Sequence, residues 1–511
     1  MKKIFGLILI FILFLAAANL GARDNFPPAT AESQGLSPEA LQKLKARVQD
    51  FLDAEEIVGA EFVVIKNRHT VLHEVFGWKD REDGAAIEKD TLFNLRSMTK
   101  TLTGAAAQIL IDEGKLKLTD RAAQFLPGFM NPESETITIK QLLSHRSGLP
   151  LTILTTVEEM EKHDSLQSVA NATGEKGPKF DPDEKFWYSD AGSEVLGAVI
   201  EVVTEKSLDD FVTERILTPL KMTRSRYIFG KDPVNDPSVA SLYGGGKGNW
   251  KRFWSPSNPP FYKFPMGSQS VSGTAQDYAR FLAMLMDGGK AGETRLLSEE
   301  AVARILTPVS RMSTLGSDTP MPTGFPGHKV YYGQMAVLHL DEKGADPKTP
   351  SVIGHTGSDG TYAWAWPKKD LIVLFFTQSR GSASGLSLET VIHNLLIDPD
   401  AAEEEAVLPE EFQPCLGDYS PQGASPEDKP FTVLFQNGNL AVDVPGRMVF
   451  ELNGPDDQNR WTFKLSRDIS VSFSRDDGGG VEGMKIAQIL RIQQDKNTAA
   501  VSYTHLTLPT N

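Results

Sequence analysis

A serine and a lysine three residues apart, Ser97 and Lys100, are the pair of side chains in this sequence best suited to nucleophilic chemistry. The run SMTKTLTGAAAQILIDEGK is dense in helix formers and ends in a Gly-Lys pair at Gly114, which predicts a helix beginning near Ser97. Residues three apart share a helix face, so the amine can reach the hydroxyl. The positive end of the helix dipole should lower the pKa of Lys100 and favour its use as a base. A capping serine beside a solvated lysine would give the same pattern.

A tyrosine followed by a serine and an acidic residue, Tyr188 to Asp190, offers a second set of groups for the same chemistry. A tyrosine phenol held near a lysine ammonium can have its pKa lowered toward neutrality, and it could then exchange a proton with a serine hydroxyl. Tyrosines more often pack than catalyse, so this segment taken alone is open to both interpretations.

The third polar segment runs from His355 to Ser358, directly ahead of a strand-like run. Gly357 would let a substrate approach the backbone closely, because it has no side chain. The backbone amides of Ser358 and Ser97 could together form an oxyanion hole. As a bare pattern, H-T-G-S-D-G is also an acceptable tight loop.

The elements that must position these groups follow from hydrophobic periodicity. An amphipathic helix is predicted to begin with Ser37 as its N-cap and Pro38 at its first helical position. The chain from Ser97 to about Leu220 is mostly helical in pattern. Further segments have the patterns of strands at 60–66, 70–76, 330–340, 362–366 and 371–377, and of helices at 276–288 and 386–396. We therefore expect a sheet flanked by helices, beside a helical subdomain.

The C-terminal part of the chain has a different pattern. Residues 397–411 are acidic and contain a proline, as in a linker, and residues 412–500 alternate in short runs with hairpin signals, which predicts a small antiparallel β-domain. Residues 501–511 resemble a translated sequencing-library adapter, so we predict that they are an artefact. A natural tail of odd composition is the alternative.

Composition and charge exclude some classes of protein. The chain has 511 residues, 40% of them hydrophobic, and a formal net charge of −15, which argues against nucleic-acid binding. Lys2 and Lys3 precede an apolar run and then small residues, so residues 1–22 are predicted to be a cleaved signal peptide and not a stable membrane anchor. The protein is therefore expected to be periplasmic or secreted. Cys415 is the only cysteine, so no intramolecular disulfide can form.

The three polar segments, in this order and at these separations, resemble the serine β-lactamase and penicillin-recognising family. They are most similar to its class C-like branch, which includes D-alanyl-D-alanine carboxypeptidases, D-aminopeptidases and family VIII carboxylesterases. Residues 142–149 look like the L-L-[ST]-H-x-S-G-L signature of that family, and residues 277–282 look like its D-[YL]-A-R-F helix. The resemblance covers residues 35–396. It implies an α/β (α+β) fold with a mixed, largely antiparallel sheet, flanking helices and a helical subdomain.

The resemblance also implies roles for single residues. Ser97 would be the acylated nucleophile, Lys100 the group that deprotonates it, and Tyr188 the base or acid that completes proton transfer. The substrate-binding and oxyanion residues would be Asp190, His355, Thr356, Gly357 and Ser358. No cofactor and no metal site are expected. The chain has no G-x-S-x-G elbow that would indicate an α/β-hydrolase instead.

Two departures from the family pattern bear on the substrate. Asp190 stands where the family usually has asparagine, and a carboxylate cannot donate a hydrogen bond to a substrate amide carbonyl. It would also favour the ammonium form of Lys100 and oppose the dipole. His355 stands where class C β-lactamases have lysine, and a neutral histidine attracts a substrate carboxylate less.

These departures set the predicted function. We expect a serine hydrolase of esters or short D-amino-acid peptides with little β-lactamase activity. A class C-like β-lactamase, or a non-catalytic penicillin- or peptidoglycan-binding protein, is the alternative. The expected partners are small-molecule ester, peptide or cell-wall-derived substrates, and the oligomeric state is open. The aromatic segment 244–265 either forms a lip over the site that favours apolar acyl groups or packs on the core.

Overall fold

The structure is a computed structural model. It describes residues 26–399 except 317 and 383, and residues 408–509 except 421–424, 426–428, 437, 446–448, 465, 477 and 495–497. The predicted signal peptide and residues 400–407 of the predicted linker lie outside this part of the chain. Among the helices that are described, none is both long and apolar enough to cross a membrane.

The helices fall mainly between residues 38 and 306, with one more after the last strand of the large sheet. In chain order they are α1 Pro38–Asp53, α2 Thr99–Asp112, α3 Ile139–Leu143, α4 Val157–Glu161, α5 Leu166–Lys176, α6 Asp190–Thr204, α7 Leu208–Val212, α8 Ala275–Met286, α9 Glu299–Leu306 and α10 Ser384–Ile392. Short 3-10 segments include Arg96–Met98 directly before α2, and π-helical turns follow α7 at Thr213–Leu217 and α10 at His393–Ile397.

The strands belong to one large sheet and several small ones. In chain order they are β1 Gly59–Lys66, β2 His69–Asp80, β3 Ala85–Ala86, β4 Phe93–Asn94, β5 Arg226–Tyr227, β6 Leu242–Gly244, β7 Lys251–Trp254, β8 Val271–Gly273, β9 Lys290–Ala291, β10 Thr294–Arg295, β11 Ser310–Arg311, β12 His328–Tyr332, β13 Val337–Asp341, β14 Val352–Thr356, β15 Tyr362–Trp366, β16 Leu371–Thr377, β17 Ser379–Arg380, β18 Gly417–Tyr419, β19 Phe431–Gln436, β20 Asn439–Asp443, β21 Val449–Glu451, β22 Trp461–Phe463, β23 Ser466–Arg475, β24 Val481–Gln494 and β25 Thr498–Pro509.

The large sheet has nine strands in the order β11-β12-β13-β14-β15-β16-β1-β2-β3, and its strand pairs are antiparallel. The strand β16 lies near its centre and is buried along its whole length, as its apolar sequence predicts. Along β1 the side chains alternate between two cores: Phe62 and Val64 lie in one, and Val63 and Ile65 lie in the other.

Each face of the sheet is covered by helices. The face of Phe62 packs against α1 and α10. The opposite face packs against α8, and its core continues into the helical region through α2, whose residues from Thr99 to Leu110 are all buried. The predicted fold class is confirmed, because helices flank the sheet and a helical region lies beside it. This arrangement places the start of α2 next to the sheet.

Several predicted elements are confirmed. Helix α1 begins as expected, since Ser37 accepts a hydrogen bond from the Ala40 amide (3.3 Å) and Pro38 takes the first helical position. The strands expected at 60–66 and 70–76 form as β1 and β2, and the turn between them has left-handed residues at Asn67 (φ 49°) and Arg68 (φ 62°), which is the geometry of a tight two-residue hairpin.

One predicted element is wrong in detail. The run at 330–340 forms two strands, β12 and β13, because Met335 takes a left-handed conformation (φ 60°) and reverses the chain between them. Strand β14 was not predicted, because Gly354 interrupts its pattern.

The C-terminal region forms two four-stranded antiparallel sheets, β18-β19-β20-β21 and β22-β23-β24-β25. They share a core of their own that includes Leu440, Trp461 and Val471. The prediction of antiparallel β-structure is therefore confirmed. The exact bounds of this domain, and the origin of residues 501–511, stay predictions.

Candidate active site

Ser97 lies at the point where the chain enters α2. It sits in the 3-10 turn Arg96–Met98, and Arg96 before it has a left-handed backbone (φ 47°). Such a backbone conformation costs free energy in a residue with a side chain, so it persists only where surrounding contacts hold it, as they often do at functional sites. It is held here by a hydrogen bond from the Arg96 amide to the Asn94 side chain (3.0 Å). The serine is half-buried at the resulting bend.

Lys100 points from the first turn of α2 to the serine. Its Nζ donates a hydrogen bond to Ser97 Oγ (3.0 Å) and another to the Ser268 carbonyl (3.3 Å), and its side chain is fully buried. Nζ also lies 2.6 Å from Asp190 Oδ1. The predicted contact between lysine and serine is therefore present in the structure.

The charge of Lys100 differs from the expectation based on the helix dipole. Burial disfavours the ammonium, but the Asp190 carboxylate and the Tyr188 side chain outweigh burial, and the pKa of Lys100 is raised above its usual value. The expected lowering of its pKa is thus wrong. The opposing effect of Asp190 is the one that the structure shows, because a carboxylate in contact acts more strongly than a helix terminus.

Tyr188 lies over the same lysine, with its ring centroid 4.9 Å from Nζ. Its ring also contacts those of His145 (4.4 Å between centroids) and Tyr332 (6.1 Å). Burial raises the pKa of Tyr188, and the Lys100 charge only partly opposes this. The expected lowering of the pKa of Tyr188 is also wrong, so the resting site holds a neutral phenol and an ammonium.

Asp190 is the first residue of α6, and the helix cap fixes its position. Ser189 accepts a hydrogen bond from the Gly192 amide (2.8 Å), and its own hydroxyl donates to the Pro150 carbonyl (2.6 Å). Besides its contact with Lys100, the Asp190 carboxylate accepts a hydrogen bond through Oδ2 from Gln269 (3.3 Å). Asp190 is therefore a partner of Lys100.

The third segment begins where β14 extends past the end of its neighbour β13. Strand β13 pairs with β14 only from Val352 to Gly354, whereas β15 pairs with it as far as Thr356. Gly357 and Ser358 form the turn that follows. A Cβ atom on Gly357 would lie 2.6 Å from the Leu95 carbonyl oxygen, so only glycine allows this close approach. The third segment thus packs directly on the turn that carries Ser97.

His355 is the last residue but one of β14, and its side chain is buried among the aromatic residues of the site. Its Nε2 is 3.3 Å from the Tyr332 hydroxyl, and its Nδ1 accepts a hydrogen bond from the Thr356 amide (2.9 Å). Burial and the Lys100 charge lower the pKa of His355 to about 3, so the ring is neutral at physiological pH. The expectation that it carries no charge agrees with this geometry.

A buried ion-pair network borders the site and was not predicted. Asp359, directly after the third segment, accepts hydrogen bonds from Arg96 Nε (2.6 Å) and Arg380 Nε (2.7 Å). Arg380 also donates to the Ser358 hydroxyl (3.3 Å), and its side chain is 44% exposed. One carboxylate between two guanidiniums leaves a net positive charge beside the third segment. The only sequence signal was that both Arg96 and Asp359 adjoin site motifs.

A second buried acid was also not predicted. Glu194 follows Asp190 by one turn of α6, and its carboxylate accepts hydrogen bonds from the Gly267 amide (2.5 Å) and the Ser268 hydroxyl. Burial raises the pKa of Glu194 to about 7. It holds the backbone whose carbonyl accepts from Lys100. The spacing of four residues was visible in the sequence, but the partner is a backbone group that no sequence pattern marks.

The aromatic segment 244–265 both packs on the core and borders the site, so each of the two expectations holds for part of it. Trp250 and Trp254 are buried in small cores, as expected of a packed loop. Phe261 lies under the Arg96 guanidinium (5.0 Å) and Phe253 under that of Arg380 (5.5 Å), which places both rings at the border of the site.

The structure thus brings Ser97, Lys100, Tyr188, Asp190 and His355 together between the helical region and the sheet. A hydrogen bond joins the serine hydroxyl to the lysine, the tyrosine ring lies over that lysine, and the third segment packs on the turn that carries the serine. Fold and site define the class of proteins with a Ser-x-x-Lys pair next to an antiparallel sheet.

The chain belongs to the β-lactamase family, whose model matches residues 44–396. A curated relative, Protein flp of Staphylococcus aureus, is 31% identical over 195 residues, which are 38% of this chain and 39% of flp. The chain therefore spans well under half the length of that relative.

Solved structures share the fold. The octameric penicillin-binding protein homologue from Pyrococcus abyssi has a TM-score of 0.60 and 20% identity, over 92% of this chain and 99% of that one. The structure of EstCE1, a hydrolase with promiscuous acyltransferase activity, has a TM-score of 0.58 and 19% identity, over 69% of this chain and 98% of that one.

Proposed function

We propose that the protein is a serine hydrolase that forms an acyl-enzyme on Ser97 and acts on esters or short D-amino-acid peptides, with little β-lactamase activity. The observation that carries the proposal is the hydrogen bond from Lys100 Nζ to Ser97 Oγ (3.0 Å), with the centroid of the Tyr188 ring 4.9 Å from the same Nζ atom. A hydroxyl held in this way can pass its proton to a neighbouring base as it attacks a carbonyl carbon.

The resting charges define the order of proton transfers. Lys100 is an ammonium, so it must lose a proton before it can accept one from Ser97. The Asp190 carboxylate, 2.6 Å away, stabilises the ammonium and opposes this loss, which delivers the proton to water. The neutral amine then accepts the Ser97 proton as Oγ bonds to the substrate carbonyl carbon, and Tyr188 carries a proton onward to the leaving alkoxide or amine. In the second step a water molecule gives up a proton to the same groups and attacks the acyl carbonyl carbon. The bond to Ser97 Oγ then breaks, and Oγ regains its proton.

The surroundings support the choice of substrates. His355 is neutral, so it supplies no positive charge for the carboxylate of a β-lactam. Asp190 is engaged with Lys100 and cannot donate a hydrogen bond to an acylamino group. The rings of Phe253 and Phe261 favour an apolar acyl group. EstCE1, a structural neighbour, is described as a hydrolase, which fits an esterase.

A panel of substrates tests the proposal. We expect p-nitrophenyl butyrate or a D-alanyl-D-alanine peptide to be turned over by the wild type and not by Ser97→Ala, and nitrocefin to be turned over much more slowly than the better of the two. Nitrocefin turnover equal to the best ester turnover would instead identify a β-lactamase.

A non-catalytic binding protein is the second candidate, favoured by the contact between Asp190 and Lys100, since that contact stabilises the unreactive ammonium. Binding of muropeptides by a folded protein that turns over no member of the panel would establish it.

We also propose that the protein is exported, because residues 1–22 have the pattern of a signal peptide. Mass spectrometry of the mature protein is expected to find an N-terminus after Ala18 or Ala22. An intact Met1 in the exported fraction would contradict export with cleavage.

A further inference from the structure

The two turns that meet at the candidate active site are joined by a buried ion pair. Arg96 directly precedes Ser97. Asp359 directly follows Ser358. Arg96 Nε donates a hydrogen bond to Asp359 Oδ2 (2.6 Å), and the two side chains are only 4% and 1% exposed. The pair therefore links the neighbours of Ser97 and Ser358, whose backbone amides are the expected oxyanion donors.

The ion pair also supports the strained backbone before the nucleophile. Arg96 has a left-handed φ of 47°, a conformation that persists only where surrounding contacts hold it. Its amide donates to Asn94 Oδ1 (3.0 Å), and its guanidinium is fixed by Asp359. Since the next residue is Ser97, a change in the Arg96 backbone would reorient both the hydroxyl and the amide of the serine.

Close packing joins the same two turns. A Cβ atom on Gly357 would lie 2.6 Å from the Leu95 carbonyl oxygen, so the backbones are already in contact. The Gly357 amide donates to the Thr361 carbonyl (2.7 Å), which closes the second turn. Packing limits how near the two turns can come, and the ion pair opposes their separation. Their spacing is therefore fixed in both directions.

A second arginine anchors the same carboxylate. Arg380 Nε donates to Asp359 Oδ1 (2.7 Å), so each carboxylate oxygen accepts from its own guanidinium. Arg380 belongs to β17 and also donates to the Ser358 hydroxyl (3.3 Å). Asp359 thus joins three segments of the chain, which are the turn before α2, the turn after β14 and strand β17.

Stability alone is a weak reason for such a pair. Removing two charges from water costs about as much free energy as their attraction returns, so apolar replacement of a buried pair is often neutral for stability. Fixed geometry matters more where a displacement of about 1 Å decides a rate. Among the hydrogen bonds of the described residues, none uses the Ser358 amide as donor, and Ser358 is exposed. This amide is therefore free to donate to a bound molecule.

We propose that Asp359 is a positioning residue for the candidate active site. Through its ion pair with Arg96, it holds the amides of Ser97 and Ser358 at the separation that the oxyanion of a tetrahedral intermediate needs. Asp359 is fully buried, so it acts through Arg96 and not on the substrate. The inference rests on the proposed acyl-enzyme function, because that reaction forms the oxyanion at Ser97.

Kinetics of Asp359→Asn in the full chain, with p-nitrophenyl butyrate, test the inference. We expect kcat to fall about ten- to a hundredfold while KM changes by less than about threefold, because the oxyanion forms only after the substrate is bound. Formation and hydrolysis of the acyl-enzyme both pass through an oxyanion, so kcat reports on the amides whichever step is slower. The inhibition constant of propylboronic acid, which forms a tetrahedral anion on a serine hydroxyl, should rise by a similar factor.

A second variant separates positioning from stability. Asp359→Asn leaves Arg96 as a buried charge without its partner, which destabilises the fold. Arg96→Met combined with Asp359→Asn removes both charges of the pair and should unfold near the wild-type temperature. If Asp359 acts only on stability, this double variant regains the wild-type kcat along with its stability. We expect its kcat to stay as low as that of Asp359→Asn, because no ion pair joins the turns.

The matched control is Asp277→Asn, which removes another buried carboxylate. Asp277 lies at the start of α8 and accepts hydrogen bonds from the amides of Arg224 and Ser225 (both 2.9 Å). It also accepts one from Arg280 (3.0 Å). Asp277→Asn should lower the unfolding temperature and leave both kcat and inhibition by propylboronic acid unchanged.

The possible failures are distinguishable. The inference is overturned if folded Asp359→Asn keeps the wild-type kcat, if its loss lies in KM alone, if the double variant regains activity, or if boronate inhibition is unchanged. Each of these results leaves Ser97-dependent turnover by the wild type in place. A wild type without Ser97-dependent turnover would overturn the proposed function and this inference together.

Discussion

Replacement of Asp190 by asparagine should activate the site, because the carboxylate holds Lys100 in its unreactive protonated form. Asp190 Oδ1 lies 2.6 Å from Lys100 Nζ, and the lysine side chain is fully buried. Two unit charges at that separation attract each other by roughly 6 kcal/mol at an effective dielectric constant of about 20, before the cost of lost hydration is subtracted. Asparagine has the same shape but no charge, so this attraction disappears.

The sign of the effect follows from the protonation states. The pKa of Lys100 is raised in the wild type, so its neutral form becomes abundant only at alkaline pH. Without the carboxylate, burial dominates and the pKa of Lys100 falls. The acid limb of the profile of kcat/KM against pH should therefore move to lower pH in Asp190→Asn. We expect kcat/KM at pH 7 to rise by about tenfold or more, which needs only ~1.4 kcal/mol of the lost attraction.

Hydrolysis of p-nitrophenyl butyrate between pH 5 and 10 measures both quantities. Asp190→Glu is the matched control, since it keeps the charge and should leave the acid limb at its wild-type pH. A profile of Asp190→Asn identical to that of the wild type would remove Asp190 from the mechanism. A large loss of activity with an unshifted limb would show that the ammonium is the functional form of Lys100, contrary to the proton transfers proposed above.

Three further predictions concern stability, acyl preference and backbone approach. The pKa of Glu194 is raised from 4.5 to about 7, so the native state binds more protons than the unfolded state between these values, and stability falls as pH rises through them by roughly 3 kcal/mol. Glu194→Gln should abolish that loss, measured as urea midpoints at pH 4.5 and 8, and an unchanged slope would contradict the assignment. Phe261→Ala should reduce the preference for butyrate over acetate esters by about threefold or more, and an unaltered preference would remove this ring from the acyl site. Gly357→Ala should lower kcat/KM about a hundredfold, because its Cβ would displace the turn before Ser97, and near wild-type activity would show that this close approach is not needed.

Much of the fold could be predicted from local patterns. The cap at Ser37 and the apolar run of β16 each encode their element within a few residues. The division of the run at 330–340 could not be predicted, because it depends on a left-handed backbone at Met335, a residue type that seldom adopts it.

The members of the site could be predicted better than their charges. The order of the polar segments predicted that Ser97, Lys100 and Tyr188 lie in one site, and the structure places them in contact. Their pKa values depend on burial and on a separation of 2.6 Å between Lys100 and Asp190, and neither is encoded locally. The roles of the Ser268 carbonyl and the Glu194 carboxyl were invisible for the same reason, because they depend on contacts between distant parts of the chain.

Acylation of Ser97 is the central claim, and intact-protein mass spectrometry tests it most directly. Residues 23–500 would be incubated with p-nitrophenyl butyrate, a D-alanyl-D-alanine peptide and a penicillin, for the wild type, Ser97→Ala and the neighbouring-motif control Ser358→Ala. We predict an acyl adduct or turnover with the ester or the peptide in the wild type, retained at least in part by Ser358→Ala and absent from Ser97→Ala. An adduct that persists in Ser97→Ala, or a folded wild type that none of the three compounds acylates and that turns none of them over, would contradict the account.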